Sequence, residues 1–222
     1  MKVLVTAGPT REYLDPVRFL SNRSTGKMGF AVARAAAARG HQVTLVAGPV
    51  ALSTPDGVRR VDVVSARDLL AAVKRRLRFA DALVMTAAVA DWRPASVSPV
   101  KLKKLGMERV LALEPNPDVL QTLRPCKGMR LFVGFAAETG DPVHEAERKL
   151  REKGLDLIVA NDVSRPDSGF AVDTNKVTFL SLAGGVLERC DLPLLTKDEV
   201  ADRLIEWLEG QLKKRGRVTR PA

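Results

Sequence analysis

Short apolar runs alternate along the chain with stretches whose apolar residues recur every three or four positions, a pattern typical of strands alternating with amphipathic helices. Capping residues mark the helix boundaries: Ser65 precedes one helical stretch, Gly40 ends another, and Thr196 with Glu199 forms a capping box. The apolar runs predict strands at residues 3–6, 42–48, 61–66, 82–88, 109–113, 131–138, 155–162, 176–182 and 186–192. The helical periodicity predicts helices at residues 26–40, 66–78 and 141–153. Two further helices are predicted, one capped by Asn116 with Pro117 at its first position and one that follows Thr196.

The alternation predicts an α/β fold, in which a Rossmann-like, mostly parallel sheet carries helices on both faces. In such sheets ligands bind beyond the carboxyl ends of the strands, so the loops after the strands are where function is expected. Gly184 and Gly185, between the last two strands, predict a C-terminal β-hairpin. We predict one domain over residues 1–212, followed by a basic, frayed tail at residues 213–222.

Two connections are longer than an ordinary loop. Residues 7–25 follow the first strand and are mostly polar, whereas residues 88–104 contain Pro94, Pro99 and three lysines. Because long connections in compact domains are usually functional, we predict that residues 88–104 form a flap over the site.

Composition narrows the class of protein. With 45% hydrophobic and 28% charged residues among 222, the chain is globular. Two isolated cysteines, Cys126 and Cys190, exclude a disulfide framework and a zinc knuckle. No apolar run approaches the ~18 residues of a membrane span, and Met1 leads directly into a strand without a signal peptide. We therefore expect a cytoplasmic protein with no membrane partner.

A formal net charge of +10 predicts an anionic ligand: nucleic acid, a phosphorylated metabolite or an acidic membrane. Part of this charge lies in the C-terminal tail. The chain lacks the interleaving of aromatic and basic residues that a single-strand stacking platform needs, and it has no recognition-helix or finger motif, which makes nucleic acid the weaker alternative.

The common nucleotide motifs of such a sheet are missing. The first loop, AGPTREYLDP, lacks the G-x-G-x-x-G of a dinucleotide site, and the second long strand ends without an acidic residue. Tyr13 has no lysine four positions later, as a short-chain reductase requires, and Gly26-Lys27 does not complete a P-loop. An NAD(P)-dependent reductase therefore remains only as an alternative.

Residues 19–29, FLSNRSTGKMG, place Ser24, Thr25 and Gly26 just before a helix. This arrangement is either a plain N-cap or a cradle for a phosphate or carboxylate, since the first N–H groups of a helix bind anions. Arg18 and Asn22 favour the cradle, because arginine grips phosphate in a bidentate manner and an asparagine amide both donates and accepts.

The other candidate site residues likewise allow both a functional and a structural explanation. The stretch TAAVADWRP places Ala87, Ala88 and Asp91 at the carboxyl end of a buried strand, although Asp91 is also a common turn residue. The lysines of the flap are either solvated or poised to stabilise charge on a triphosphate. Lys149 and Lys153 share a helix face with Glu145, which favours a structural pairing. The histidines, at positions 41 and 144, indicate neither a metal nor a triad.

Taken together, TAGPTREYLDPVRFLSNRSTGKMG, TAAVADWRP, KLKK, NPDV, GFAAET and ANDVS resemble the motifs of phosphopantothenoylcysteine synthetases, in unbroken order over residues 2–210. The resemblance implies a ligase of coenzyme A biosynthesis, which joins 4'-phosphopantothenate to L-cysteine. It also implies that CTP and Mg²⁺ activate the carboxylate as an acyl-cytidylate, with release of pyrophosphate, and that the cysteine amine then displaces CMP.

The resemblance also implies roles for individual residues. Lys101 would serve the first half-reaction and Asn22 the second. The phosphopantothenate site would comprise Asn22, Ala87, Ala88 and Asp91, with Arg18 supplied by the other subunit of a homodimer. The nucleotide site would comprise Gly8, Ser24, Gly26, Gly29, Asp91, Lys101, Pro117, Asp118, Val119, Leu120, Phe135, Lys149, Lys153 and Asn161. Mg²⁺ would be held mainly by nucleotide phosphates, and a flavin-dependent decarboxylase is expected as a fused or separate partner.

Overall fold

The computed structural model describes residues 1–103, 110–138, 142–162, 167–169, 172–183 and 185–216. Twelve strands occur in these ranges: β1 Lys2–Ala7, β2 Arg11–Tyr13, β3 Phe19–Ser21, β4 Gln42–Ala47, β5 Val58–Asp62, β6 Ala82–Met85, β7 Trp92–Pro94, β8 Leu113–Pro115, β9 Leu131–Glu138, β10 Leu157–Asp162, β11 Thr174–Ala183 and β12 Val186–Thr196. The α-helices are α1 Lys27–Ala38, α2 Ala66–Leu77, α3 Val119–Leu123, α4 Pro142–Glu152 and α5 Lys197–Lys214.

Eight strands form one sheet in the order β12-β11-β10-β9-β6-β1-β4-β5. Every pair from β5 to β10 is parallel, whereas β11 and β12 form an antiparallel hairpin at one edge. The central strand β1 is flanked by β4 and β6, so Val5 is paired with Leu45 on one side and with Val84 on the other. The predicted Rossmann-like sheet and its C-terminal hairpin are confirmed; Gly184 of the turn lies outside the described residues.

Helices cover both faces of the sheet, as predicted. One apolar cluster packs α1 and α5 against one face, and a second packs α2, α3 and α4 against the other. Strands buried on both faces need apolar residues at nearly every position, which explains why β1, β6 and β10 are continuous apolar runs rather than alternating ones.

The two long connections contain structure that the sequence did not predict. Residues 11–21 form a small hairpin of β2 and β3, with Tyr13 paired with Phe19. In the flap, β7 pairs with β8, and Ala95 N donates to Ala112 O at 3.0 Å, so the intervening segment is closed at its base. Lys104 of the flap lies outside the described residues.

Several predicted boundaries were wrong. The strand expected at residues 61–66 is β5, which ends at Asp62, and the strand expected to end at residue 113 is β8, which begins there. Asn116 does not cap α3: Asp118 does, accepting a hydrogen bond from Gln121 N. The Asn116 amide is used elsewhere, since its Nδ2 donates to Ala90 O at 2.9 Å and holds the loop after β6.

Near the C-terminus, α5 begins with the predicted capping box of Thr196 and Glu199. It continues through Lys214, and Arg215 forms an ion pair of 2.8 Å with Asp156. Helical structure therefore extends beyond residue 212, where the tail was expected to start, while residues 217–222 lie outside the described part of the chain. Within that part, no helix is both long and apolar enough to cross a bilayer.

Candidate functional site

The strand order reverses at β1, because the chain passes from β1 to β4 and β5 on one side and then crosses to β6 on the other. Such a switch point opens a crevice at the carboxyl ends of the strands, which is where ligands of these sheets bind. Here the loops after β1 and β6 are joined: Ala88 N donates to Gly8 O at 3.0 Å, and Thr10 N donates to Ala88 O at 3.2 Å. Gly8 has a φ of +77°, which a non-glycine residue rarely adopts.

The N-terminus of α1 faces this crevice. Its N-cap is Gly26, with a φ of +81° and no side-chain capping bond, so the anion-binding end of the helix carries no capping side chain. Gly26 N donates to Ser24 Oγ at 3.4 Å, which places the Ser24 hydroxyl beside the helix start. The helix N-terminus thus has a glycine cap rather than a serine or threonine cap, and an anion cradle at this place stays a prediction.

Gly29 lets α1 lie directly on the sheet. A Cβ at this position would be 2.3 Å from Thr86 Oγ1, 2.5 Å from Ala7 Cβ and 2.8 Å from Thr6 O. The helix N-terminus thus reaches the edge of β1 and β6 only because residue 29 has no side chain.

Gly29→Ala is expected to lower the free energy of unfolding by about 1–3 kcal/mol, the usual cost of overpacking a core. Gly210→Ala in α5 is a matched control: its Cβ would meet nothing within 4 Å, so it should stabilise by about 0.5–1 kcal/mol through helix propensity. Urea denaturation of both variants measures the difference. Equal effects of the two substitutions would contradict the close approach at Gly29.

Two neighbouring cavities lie in the crevice. They share Ala87, Ala88 and Phe135, which lie at their common boundary. The first cavity, named here the inner cavity, is also lined by Ser24, Thr25, Gly26, Lys27, Met28, Gly29, Thr86, Ala136, Ala137, Asn161, Gly169, Asn175 and Lys197. The second, the outer cavity, is also lined by Met85, Val89, Ala90, Asp91, Trp92, Pro115, Asn116, Pro117, Asp118, Val119, Leu120 and Lys153.

The residues predicted for the nucleotide are therefore divided between two adjoining spaces. The α1 start and Asn161 lie at the inner cavity, while the α3 start and Lys153 lie at the outer one. Five predicted site residues line neither cavity: Gly8, Arg18, Asn22, Lys101 and Lys149. Gly8 lies beside Gly26, since a Cβ on Gly26 would be 3.4 Å from Gly8 N.

Asn22 is tied to the loop after β6. Its Nδ2 donates to both Ala88 O and Val89 O at 3.1 Å, which uses both amide hydrogens. Two carbonyl acceptors on that side fix the orientation of the amide, so Oδ1 is the side-chain atom left to accept a hydrogen bond. Asn22 is exposed and thus places an acceptor at the mouth of the crevice, next to Ala88.

At the outer cavity, Lys153 forms an ion pair of 2.8 Å with Asp118. Burial opposes ionisation of Asp118, but the Gln121 N–H and the Lys153 ammonium outweigh it and hold the pKa of this carboxyl below its usual value. The Asp118 side chain thus caps α3 and positions Lys153 at the cavity wall. Lys149 Nζ lies 3.8 Å from Glu145, the structural pairing that its spacing favoured.

The floor of the inner cavity contains a buried polar network that the sequence did not predict. Ser168 Oγ donates to Asn161 Oδ1 at 2.5 Å, and Gly169 N donates to Asn175 Oδ1 at 3.1 Å. Asn175 Nδ2 donates to the weak acceptor Met28 Sδ at 3.6 Å. Asn175 is an unusual residue for a strand interior, which was the one signal in the sequence that could have singled it out.

Lys197 also lies at this floor and was missed. It is buried at the first position of α5, where the helix dipole disfavours a cation, and its Nζ donates to Gly169 O and Val172 O. Burial, together with repulsion from Lys27, lowers the pKa of Lys197 to about 8, although Asp173 opposes the shift.

This lowered pKa predicts a pH dependence of stability. Between about pH 8 and the ordinary lysine value of 10.5, the unfolded chain binds more protons at this residue than the folded chain. The free energy of unfolding of the wild type should therefore rise with pH across that window relative to Lys197→Met, which cannot titrate. Urea denaturation of both proteins at pH 7.5, 9 and 10.5 measures the gap, and parallel curves would contradict the shift.

The described residues contain no group of three or more histidine, cysteine, aspartate or glutamate side chains placed to hold a metal ion. What they offer is a helix N-terminus, amide groups and lysines around two cavities at the switch point. The fold and the site thus define a class: an α/β protein of Rossmann-like topology with two adjoining cavities at the carboxyl edge of its sheet.

Comparison with known proteins identifies the family within this class. Residues 1–212 match the family model of the DNA/pantothenate metabolism flavoprotein C-terminal domain (DFP), and the chain belongs to that family. The coenzyme A biosynthesis bifunctional protein CoaBC of Escherichia coli K12 is 43% identical over 221 residues, which cover 98% of this chain and 53% of that protein. The CoaBC protein of Bacillus subtilis 168 is 43% identical over 215 residues, covering 96% and 52% respectively.

Solved structures agree with this assignment. The crystal structure of the C-terminal domain of a CoaBC protein has a TM-score of 0.81 and 43% identity, and 96% of each chain is covered. Cab2 H337A in complex with phosphopantothenate-cysteine has a TM-score of 0.76 over 96% of this chain and 86% of that one, and at 18% identity it supports the fold alone. The chain spans about half the length of the bifunctional relatives.

Proposed function

We propose that this chain is the ligase that joins 4'-phosphopantothenate to L-cysteine. The observation that carries the proposal is the 43% identity to CoaBC over nearly the whole chain, which the CoaBC C-terminal domain matches in structure as well. The site supports it, because the N-terminus of α1 lines one crevice and the Asn22 amide is held by the loop beside it. Cytoplasmic localisation goes with this proposal.

The substrates explain the charges of the site. A carboxylate attacking the α-phosphorus of CTP is repelled by the triphosphate, so cations and N–H donors must offset both charges before an acyl-cytidylate and pyrophosphate can form. The N-terminus of α1 offers N–H donors to a phosphate group, and Lys101 lies on the flap. Since the described residues lack a metal-binding cluster, Mg²⁺ would be held on the phosphate oxygens and would supply further charge neutralisation.

The second half-reaction needs a nucleophilic amine beside the activated acyl group. Cysteine reacts through its nitrogen, which must lose a proton and approach the acyl carbon from one direction. Asn22 Oδ1 is positioned to accept a hydrogen bond from that amine, because the Asn22 Nδ2 group is held by Ala88 O and Val89 O. Ala87, Ala88 and Asp91 then form the wall along which phosphopantothenate would lie.

We further propose that the chain acts as a homodimer. The β2–β3 hairpin packs against β7, and large apolar side chains are exposed on this side of the molecule: Val17, Phe19, Trp92, Val97, Val100 and Leu113. Arg18 lies within this surface, as it must if it is to reach the site of a second subunit. Sedimentation velocity tests the proposal, and a monomer at micromolar concentration would contradict it.

The bifunctional relatives support a decarboxylase as a fused or separate partner.

The deciding experiment measures pyrophosphate release from CTP and Mg²⁺ with 4'-phosphopantothenate, with and without cysteine, and repeats it with ATP. Release that requires phosphopantothenate and favours CTP is the expected result. Equal use of ATP would keep the ligase and overturn the choice of nucleotide. No release with either nucleotide, together with salt-sensitive oligonucleotide binding or a change in NADH absorbance, would favour one of the alternatives instead.

A further inference from the structure

A buried carboxylate lies at the base of the flap. Asp15 is in the turn between β2 and β3, and its side chain is completely buried. Its Oδ1 accepts hydrogen bonds from the backbone N–H groups of Val17 and Arg18, both at 2.8 Å. Its Oδ2 accepts from the Arg18 guanidinium, with Nε at 2.9 Å, and from Leu102 N at 3.2 Å.

The backbone N–H and C=O groups of Leu102 are thus both hydrogen-bonded to side chains of the β2–β3 turn. Arg18 donates from its Nη2 to Leu102 O at 3.0 Å, while Asp15 accepts from Leu102 N. A further backbone hydrogen bond, from Ser98 N to Leu14 O at 2.9 Å, fastens the flap four residues earlier. Only Lys101 and two neighbours lie between these two attachment points, so the backbone of Lys101 has little freedom to move.

Asp15 is ionised over the whole working range of pH. The hydrogen bond from the Arg18 side chain outweighs burial, and with the Val17, Arg18 and Leu102 N–H groups it holds the pKa of Asp15 far below its usual value. Charge-assisted bonds of this kind are stronger than neutral ones. None of the proposed substrate contacts uses Asp15, so its five hydrogen bonds need another explanation.

We propose that Asp15 is a positioning residue for Lys101: with Arg18 it clamps Leu102 and so fixes the backbone from which the Lys101 amine extends. This inference rests on the proposed function, because it assumes that Lys101 acts on the nucleotide. It also gives Arg18 a role within its own chain, whether or not the same side chain reaches a second subunit.

The test is a double-mutant cycle on pyrophosphate release. Asp15→Asn keeps the size of the side chain. The amide then presents either an NH₂ group, which cannot accept a hydrogen bond, or one neutral oxygen to the donors of Arg18 and Leu102. A misplacement of about 1 Å at a catalytic group costs on the order of 10²-fold, so we expect the kcat for pyrophosphate release to fall by about that factor. In the Lys101→Gln background, Asp15→Asn should change kcat by less than about threefold, since coupled residues are not additive.

Two further measurements separate positioning from general stability. Asp68→Asn is the matched control: Asp68 accepts from Ser65 N at 3.0 Å in the capping box of α2, so its loss should lower stability while leaving kcat unchanged. Amide hydrogen exchange reports the clamp directly, because Leu102 N should exchange faster in Asp15→Asn than in the wild type or in Asp68→Asn.

The outcomes are distinct. Equal losses of kcat in the wild-type and Lys101→Gln backgrounds, or unchanged exchange at Leu102, would overturn the positioning role. A wild-type protein that releases no pyrophosphate would instead contradict the proposed function, and the exchange rate of Leu102 would then decide whether the clamp exists on its own.

Discussion

Lys101→Gln is expected to reduce pyrophosphate release strongly, with kcat falling by about 10²–10³-fold, the usual effect of removing one group that stabilises transition-state charge. The Lys101 side chain is exposed on the flap, and among the described residues no carboxylate forms an ion pair with it. Its charge is therefore available to phosphoryl oxygens, and glutamine keeps the length of the side chain approximately while removing that charge. Quenched-flow measurement of pyrophosphate from CTP and 4'-phosphopantothenate gives the rate.

Lys103→Gln is the matched control for this experiment. Lys103 lies two residues away and is equally exposed, but it follows rather than precedes the Leu102 clamp. If bulk positive charge on the flap were the requirement, both variants would lose comparable activity. A normal rate in Lys101→Gln, or an equal loss in both, would show that the first half-reaction does not depend on this amine.

Asn22→Asp is expected to separate the two half-reactions. A carboxylate cannot donate to Ala88 O and Val89 O, so the side chain should turn away from them and lose the position that presents Oδ1. The acyl-cytidylate should still form, because that step depends on Lys101 and the α1 N-terminus. Its transfer to cysteine should fall by about 10²-fold, the loss expected when a reacting group is no longer oriented.

Hydroxylamine distinguishes the two steps in one assay. As a small, strong nucleophile it should trap the acyl-cytidylate as a hydroxamate without help from Asn22. We expect similar hydroxamate formation by wild type and Asn22→Asp, but much less phosphopantothenoylcysteine from the variant. Loss of both products would place Asn22 in substrate binding or activation, and normal product formation would remove it from the mechanism.

Much of the fold was predictable because its causes are local. The continuous apolar runs of β1, β6 and β9 predicted buried parallel strands, and the N-cap Ser65 before α2 and the capping box before α5 predicted where those helices begin. The alternation of these elements determined the fold class, and with it the edge of the sheet where a ligand binds. Gly26 and Ala88, two predicted site residues near that edge, line the same cavity.

The errors arose where two roles compete for one residue. Asn116 has the side chain of a helix cap, but its amide binds Ala90 O and leaves the capping of α3 to Asp118. The polar segment after β1 predicted a loop, yet it contains the β2–β3 hairpin, because the Asp15 carboxylate satisfies the backbone of the turn. Local propensity cannot decide the case of Asn116, since its partner Ala90 is distant in sequence.

The sequence by itself determined the main strands and helices, the fold class and the family, all of which depend on periodicity and on short contiguous motifs. Only the tertiary structure decided the geometry of the site. It divided the predicted nucleotide residues between two cavities at Phe135, brought Lys197 and Asn175 to the floor of one of them, and joined Asp15 to Leu102 across 87 positions of the chain. Hydrogen bonds and burial of this kind are set by contacts between remote segments, and those contacts exist only once the sheet has formed.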